Sequence, residues 1–343
     1  AAMHDMELSD KLLAVARAGA GVNNIPLDKC AQKGIVVFNT PGANANGVKE
    51  LAIAALLLAS RDIVEGVDWV RSNWNNPDIA KTAEKEKKQF AGTELEGKKL
   101  GIIGLGAIGV RVANTAVNFG MDVYGYDPYV SVDSAWHLRR KINHVIRIED
   151  IFAECDYITI HVPLLDSTKG MINAEAISHM KRGVRFINLA RGEIVDDDAM
   201  IAALDTGWVA AYVTDFPTPD TIGVKGIVNI PHLGASTYES EDNCAIMAAD
   251  EMKDYLENGN IKNSVNLPNA EMARVCKNRL CVIHKNVPNV LRGITSQFVD
   301  SNINDFMNRS KGDISYTILE VDGDISEQMI TDIEAIEGVI RVH

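Results

Sequence analysis

Gly104-Leu105-Gly106-Ala107-Ile108-Gly109 is a G-x-G-x-x-G stretch, and its flanks decide what it is. On its own the spacing occurs by chance. Here the apolar run Leu100-Gly101-Ile102-Ile103 precedes it and reads as a buried strand. Val110 to Phe119 follows with helical spacing and stops at Gly120. Met121 to Tyr126 reads as a second strand, closed by Asp127. Strand, glycine turn, helix, strand and acid together form a dinucleotide-binding unit. Gly104 permits the tight turn, Gly106 lets the backbone approach a pyrophosphate, and Gly109 lets the helix pack on the sheet. The helix start offers unpaired N–H groups and the positive end of its dipole. Asp127 lies 18 residues after Gly109, where a carboxylate can take the ribose hydroxyls. It would repel a 2′-phosphate, so the expected cofactor is NAD.

Outward from this unit the alternation continues. Tyr157 to Ile160, Val184 to Leu189, Val209 to Thr214 and Ile227 to Ile230 read as strands. Asn173 to Met180 and Asp196 to Leu204 read as the helices between them. That order predicts an α/β fold, a Rossmann-type doubly wound parallel sheet with helices on both faces. Ligands in such sheets sit at the carboxyl ends of the strands. Arg191, Asp215 and His232 each follow a predicted strand, so they are expected to share one site.

Each of the three has a chemical reason to be there. Arg191, in Asn188-Leu189-Ala190-Arg191-Gly192, can grip a carboxylate with two parallel hydrogen bonds, or form a structural ion pair. His232, between a predicted strand and the Gly234 turn, is placed for acid/base work or for a satisfied core position. Asp215-Phe216-Pro217-Thr218-Pro219-Asp220 puts two carboxylates near a strand end. Either could hold the imidazole's tautomer, as the orienting acid of a catalytic triad does, or serve as a turn residue.

The ends of the chain read differently. Leu12 to Ala16 and Ile35 to Phe38 are two short strands, too few for an independent α/β domain. Leu51 to Ala59 and Ser236 to Asn258 read as helices, and Glu84 to Lys88 as a solvated connection. Strand-like Arg279 to Ile283, Ser315 to Val321 and Val339 to Val342 alternate with helical Val290 to Val299 and Ser326 to Ile336. With one more strand assumed at Asp305 to Arg309, the order is that of a ferredoxin-like α+β module. The expected domains are 1–43 with 238–268, a partial flavodoxin-like substrate domain; 44–237, the NAD-binding domain; 269–278, a linker; and 279–343, the ferredoxin-like module.

Composition narrows the function. A net charge of −13 argues against nucleic acid or anionic membrane as partner. No apolar run is long enough for a transmembrane helix. Five scattered cysteines with no C-x-x-C read as reduced cytoplasmic residues, and no metal is expected.

The segments GLGAIG, HVPLLDSTKGMI, INLARGEIVDDDAM and PHLGAST resemble the D-isomer-specific 2-hydroxyacid dehydrogenases. The tail resembles an ACT domain, a small regulatory module that often binds amino acids. The resemblance, from about Leu12 to His343, implies an NAD-dependent oxidoreductase. Within the family, RAGAGVNNI and the tail point to the branch that oxidises 3-phosphoglycerate at the first step of L-serine biosynthesis. It implies that Arg191 orients the substrate and His232 is the catalytic acid/base. The family's acidic partner falls on Asp220, an aspartate where the family has glutamate; an alignment through Phe216-Pro217 places it at Pro219. Cofactor contacts are implied for Ala107, Ile108, Asp127, Val162, Leu189, Ala190, Asp215, Gly234 and Ala235. Gly19-Ala20-Gly21-Val22 would meet the substrate carboxylate, and His284, Asn286 and Asn302 an L-serine effector. Family members carry a further stretch before the equivalent of Met3, including a phosphate-binding arginine, so the substrate domain is expected to be shortened. The Leu51 to Ala59 helix implies a homodimer or homotetramer. The rivals are a hydroxypyruvate or glyoxylate reductase and a non-catalytic NAD- or amino-acid-responsive binding protein.

Overall fold

The computed structural model describes residues 2–343. Two compact units divide the chain: Asn44–Ser240, and the residues up to Ala43 together with Glu241–His343.

In chain order the second of these contributes first. Strands β1 (Ala14–Arg17) and β2 (Val36–Asn39) pair in parallel, joined through helix α1 (Leu27–Gln32). The Asn44–Ser240 unit then begins with α2 (Ala45–Ser60), α3 (Ile63–Ser72) and α4 (Ile79–Glu86). The solvated connection expected at Glu84 to Lys88 is corrected here. The stretch ends α4 and continues into a 3-10 turn, Lys87–Phe90. Lys and Glu favour helix as well as water, so a charged run alone does not separate loop from exposed helix. Phe90 packs on Trp69 of α3, with ring centroids 5.9 Å apart.

The sheet of this unit follows: β3 (Lys99–Ile103), α5 (Ala107–Asn118), β4 (Asp122–Tyr126), α6 (Val132–Trp136), β5 (Asn143–His144), α7 (Ile148–Glu154) and β6 (Tyr157–Ile160). It continues with α8 (Ala174–Ser178), β7 (Val184–Asn188), α9 (Asp197–Asp205), β8 (Val209–Thr214) and β9 (Ile227–Asn229). The seven strands lie in the order β5-β4-β3-β6-β7-β8-β9, all parallel. This is the doubly wound Rossmann-type sheet. The order reverses between β3 and β6, where such sheets open a ligand crevice. All four residues of β6 are buried, because a parallel sheet is covered on both faces. One core packs Leu56 of α2 and Val112 of α5 against Leu100 and Ile102. The other packs Ile151, Ile177 and Met200 of α7, α8 and α9 against Ile158. Asn173 and Asp196 cap α8 and α9 through their side-chain oxygens.

Helix α10 (Tyr238–Asn258) leads into the other unit. There β10 (Asn278–Lys285), α11 (Val290–Ser296), β11 (Ile303–Lys311), β12 (Ile314–Val321), α12 (Glu327–Glu334) and β13 (Val339–Val342) form an antiparallel sheet in the order β11-β12-β10-β13. The β-α-β-β-α-β path is ferredoxin-like. Strand β11 is a mostly exposed edge, which is why its apolar signal is faint in the sequence. Residues 269–278, expected as a linker, are folded into this unit. Ala270 and Met272 are buried, in a core with Val36, Phe38, Tyr255 and Ile283. A buried Arg279–Glu320 ion pair, Nη2 to Oε1 2.7 Å, clamps the segment. Arg279 donates to the carbonyls of Asn258 and Met272, and Glu320 accepts from the N–H groups of Val275 and Cys276.

Among the described residues, no helix is long and apolar enough to cross a membrane. No cluster of three metal-ligating side chains occurs among them either.

Candidate active site

The glycine loop spans the step from β3 to α5. Gly104 has φ +96°, and a Cβ there would lie 2.9 Å from the backbone of His161. Gly104 N–H donates to the Tyr126 carbonyl at 2.8 Å, tying the turn to the end of β4. A Cβ on Gly109 would come within 1.9 Å of the Gly104 carbonyl oxygen, so α5 packs on the loop only with glycine there. A Cβ on Gly106 would meet no protein atom. Gly106 begins α5 with no side-chain cap. The first N–H groups of a twelve-residue helix therefore face an open side, a fit for a pyrophosphate.

Asp127 stands at the end of β4 beside this loop. Its Oδ2 accepts from Leu105 N–H and its Oδ1 from Tyr129 N–H, both at 2.8 Å. The carboxylate thus braces the glycine loop and keeps lone pairs for a ribose. Val162 meets the loop as well, its Cγ1 3.0 Å from a Cβ built on Gly104. Ala107 is exposed and Ile108 half-buried at the helix start.

Beyond β7, Leu189 and Ala190 are buried and Arg191 is exposed. Asn188, fully buried, fixes their turn: its Oδ1 accepts from Ala190 N–H at 3.1 Å and its Nδ2 donates to the Arg191 carbonyl at 2.9 Å. Sequence reasoning passed over Asn188. Its signal was an amide at the end of an apolar strand, where it needs partners. The Arg191 guanidinium donates to the Ala190 carbonyl at 2.7 Å and has donors to spare.

A cleft of about 720 Å³ gathers Gly192, Glu193, Asp215, Phe216 and His232 on its walls. His232 is exposed and meets the Phe216 ring edge-on, with centroids 4.9 Å apart. Asp215 is 1% exposed, and its Oδ1 has no hydrogen-bond partner. Burial raises its pKa, while positive charge on His232 and on Arg191 pulls it back down. Gly234 closes on the same carboxylate: a Cβ there would be 3.7 Å from Asp215 Oδ2 and 3.3 Å from Val48. Ala235 follows, half-buried.

Asp220 is not brought to the imidazole. It is exposed in a turn beyond Pro219 and is not among the residues that line the cleft with His232. Its charge bears instead on Asp197, whose pKa is raised first by burial, with Asp220 adding to it. Asp197 accepts from Thr218 Oγ1 at 3.0 Å.

The Gly19-Ala20-Gly21-Val22 loop lies in the other unit and is pinned by its carbonyls. Gly19 O accepts from Thr40 N–H, Ala20 O from Asn39 Nδ2, and Gly21 O from Arg17 Nη1. The N–H groups of Ala20, Gly21 and Val22 have no partner among the described residues. Three unpaired donors over a guanidinium suit an anion. Arg17 was not singled out in the sequence.

The tail residues do not form one ligand site within the chain. His284 is 2% exposed, with Nδ1 on the Lys285 carbonyl at 2.8 Å and Nε2 on Thr317 Oγ1 at 2.9 Å. Both ring nitrogens are spent inside the sheet. Asn286 donates to the Gly312 carbonyl at 3.3 Å, and Asn302 to Asn304 Oδ1 at 2.7 Å. Lys285 pairs with Ile314, whereas Asn278 and Ile303 pair with Val321. Asn286 and Asn302 thus sit at opposite ends of the sheet, about 20 Å apart at strand rise.

Sheet order, glycine loop and strand-end acid define a dinucleotide-binding domain. Residues 53–234 match the model of the D-isomer specific 2-hydroxyacid dehydrogenase, NAD binding domain. The chain belongs to this family, and its cofactor is NAD. D-3-phosphoglycerate dehydrogenase of Homo sapiens is 36% identical over 266 residues, 75% of this chain and 47% of the relative. The chain therefore spans about half the length of that relative. D-3-phosphoglycerate dehydrogenase of Haemophilus influenzae is 32% identical, over 98% of this chain and 82% of its own length. The crystal structure of NAD+-bound 3-phosphoglycerate dehydrogenase from Entamoeba histolytica is 33% identical, with a TM-score of 0.59 over 75% of this chain and 76% of that one.

Proposed function

We propose that the protein oxidises 3-phospho-D-glycerate to 3-phosphohydroxypyruvate with NAD. The observation that carries the reading is the cleft that both His232 and Asp215 line. When bound, NAD accepts the hydride from C2 of the hydroxy acid. His232 takes the hydroxyl proton as C2 is oxidised and returns it in the reverse direction. The Arg191 fork, exchanging the Ala190 carbonyl for the substrate, holds the carboxylate. Asp215, buried on the wall of the same cleft, is the acidic partner of His232, the role first given to Asp220. The Ala20 to Val22 N–H groups, with Arg17, form an anion site within the other unit.

A second reading, reduction of glyoxylate or hydroxypyruvate, draws on one observation. Glu193 and Asp197 line the cleft beside His232, and their charge disfavours a phosphate there. The ferredoxin-like tail supports the first reading as an ACT-type sensor. An L-serine ligand touching both Asn286 and Asn302 would need a second copy of the chain. Exposed Ile63, Val67, Val70 and Trp74 give α3 and the turn after it an apolar face for a homodimer or homotetramer.

The test is NADH consumption with 3-phosphohydroxypyruvate, hydroxypyruvate and glyoxylate side by side. The first reading expects the highest kcat/KM with the phosphorylated keto acid. A preference for glyoxylate or hydroxypyruvate would select the second, and no consumption with any of them would contradict both.

A further inference from the structure

The unit that contains Glu241–His343 has a cleft of its own, about 420 Å³ in volume. One wall is a stripe of α10 in which Asn243, Met247, Asp250, Glu251 and Asp254 recur at helical spacing. The facing wall comes from residues 260–271, including Asn263 and Glu271. Asp250, Glu251, Asp254 and Glu271 are set against a single cation, Lys262, so the lining is strongly negative. Surface carboxylates alone would be no site. Glu251 makes the difference.

Glu251 is 7% exposed. Its Oε1 accepts from Asn263 Nδ2 at 2.7 Å, and its Oε2 is buried with no partner. A buried acceptor left without a donor is costly, and natural folds rarely leave one. Burial pushes the Glu251 carboxyl up, with Asn263 and then Lys262 pulling it back. Asp254 already has both oxygens partnered, by the amides of Asn258 and Asn260. The buried unspent acceptor in this cleft is therefore on Glu251, between the helix and the Asn263 loop.

A matching ligand is cationic, carries N–H donors and has a short apolar body. Ile246, 60% exposed, and Met247 supply an apolar floor. An inorganic cation is a poor match, because no three acidic, His or Cys side chains among the described residues converge as metal ligands. An ammonium needs no such convergence, since its three donors can serve separate oxygens. We propose that this cleft binds an aliphatic primary ammonium compound, with one N–H meeting Glu251 Oε2 and the carbon chain lying on Ile246 and Met247. None of its residues is one used in the proposed dehydrogenase chemistry.

Calorimetric titration of the full chain tests it, with 1,4-diaminobutane, butylamine and magnesium chloride as separate titrants. The expected result is saturable one-site binding of both amines at about millimolar Kd or tighter, with no heat from magnesium. Glu251→Gln keeps the shape, removes the charge and should weaken the amines by roughly tenfold. Asp250→Asn, at an exposed position, should weaken them by a smaller factor and covers the case in which Glu251→Gln does not fold. No saturable binding of either amine would overturn the proposal. So would unchanged affinity in both variants, or magnesium binding tighter than the amines.

Discussion

Asp215 carries the most conflicting demands of any residue in the cleft. It is almost fully buried with one oxygen unpaired, yet the chemistry asks it to be charged. Its folded pKa is raised, burial being the main cause. A raised carboxyl favours the folded state below its unfolded pKa, and that stability is lost as pH rises through the folded value. Asp215→Asn should therefore raise Tm at neutral pH while lowering kcat by about tenfold or more. Thermal melts paired with NADH assays check both; a lower Tm together with unchanged kcat would show that Asp215 neither strains the fold nor serves His232. At this scale the placement of Arg191 and His232 beyond strand ends was legible, because apolar runs closed by a glycine turn mark where the strands stop. The choice between Asp215 and Asp220 was not. It depends on where Pro217 and Pro219 send the turn, and they send Asp220 toward Asp197. His284 misled for a similar reason: strand register, not spacing, gave both its nitrogens to Lys285 and Thr317.

Elements carry the next level, and the glycine loop separates packing from binding. Gly109→Ala would drive a methyl to 1.9 Å from a backbone oxygen, which cannot yield like a side chain. The expected cost is about 1–3 kcal/mol of stability, with NADH binding lost. Gly106→Ala meets nothing in the protein. It should leave Tm close to wild type and still weaken NADH, because the methyl stands where the pyrophosphate approaches. Denaturant melts and NADH fluorescence titrations distinguish the two; equal destabilisation by both would contradict the loop geometry. The strands β6, wholly buried, and β8, mostly so, were readable to the residue because each is an almost unbroken run of apolar residues. Helices α3 and α4 were not, since neither has a buried residue. The two-residue β5 is polar and exposed and left no pattern to read.

Across the whole molecule, buried histidines set the response to acid. His161 is held down to about 4 by burial, and His343 to about 4 by burial and the Arg341 charge. Unfolded histidine takes its proton near pH 6.5. Their stabilising effect is thus fully present above about pH 6.5 and is lost as pH falls toward 4, at up to about 1.4 kcal/mol per pH unit for each. Tm should fall between about pH 6.5 and pH 4, and His161→Gln should flatten that slope; an unchanged slope would show that His161 is not buried neutral. The central claim is that His232 moves the proton in a site whose cofactor binding is built elsewhere, on the glycine loop. Its most direct test is single-turnover NADH oxidation by His232→Ala with 3-phosphohydroxypyruvate, alongside NADH titration of the same variant. The prediction is a rate lower by about 10²–10⁴-fold with NADH affinity unchanged. A rate within about threefold of wild type would contradict the account.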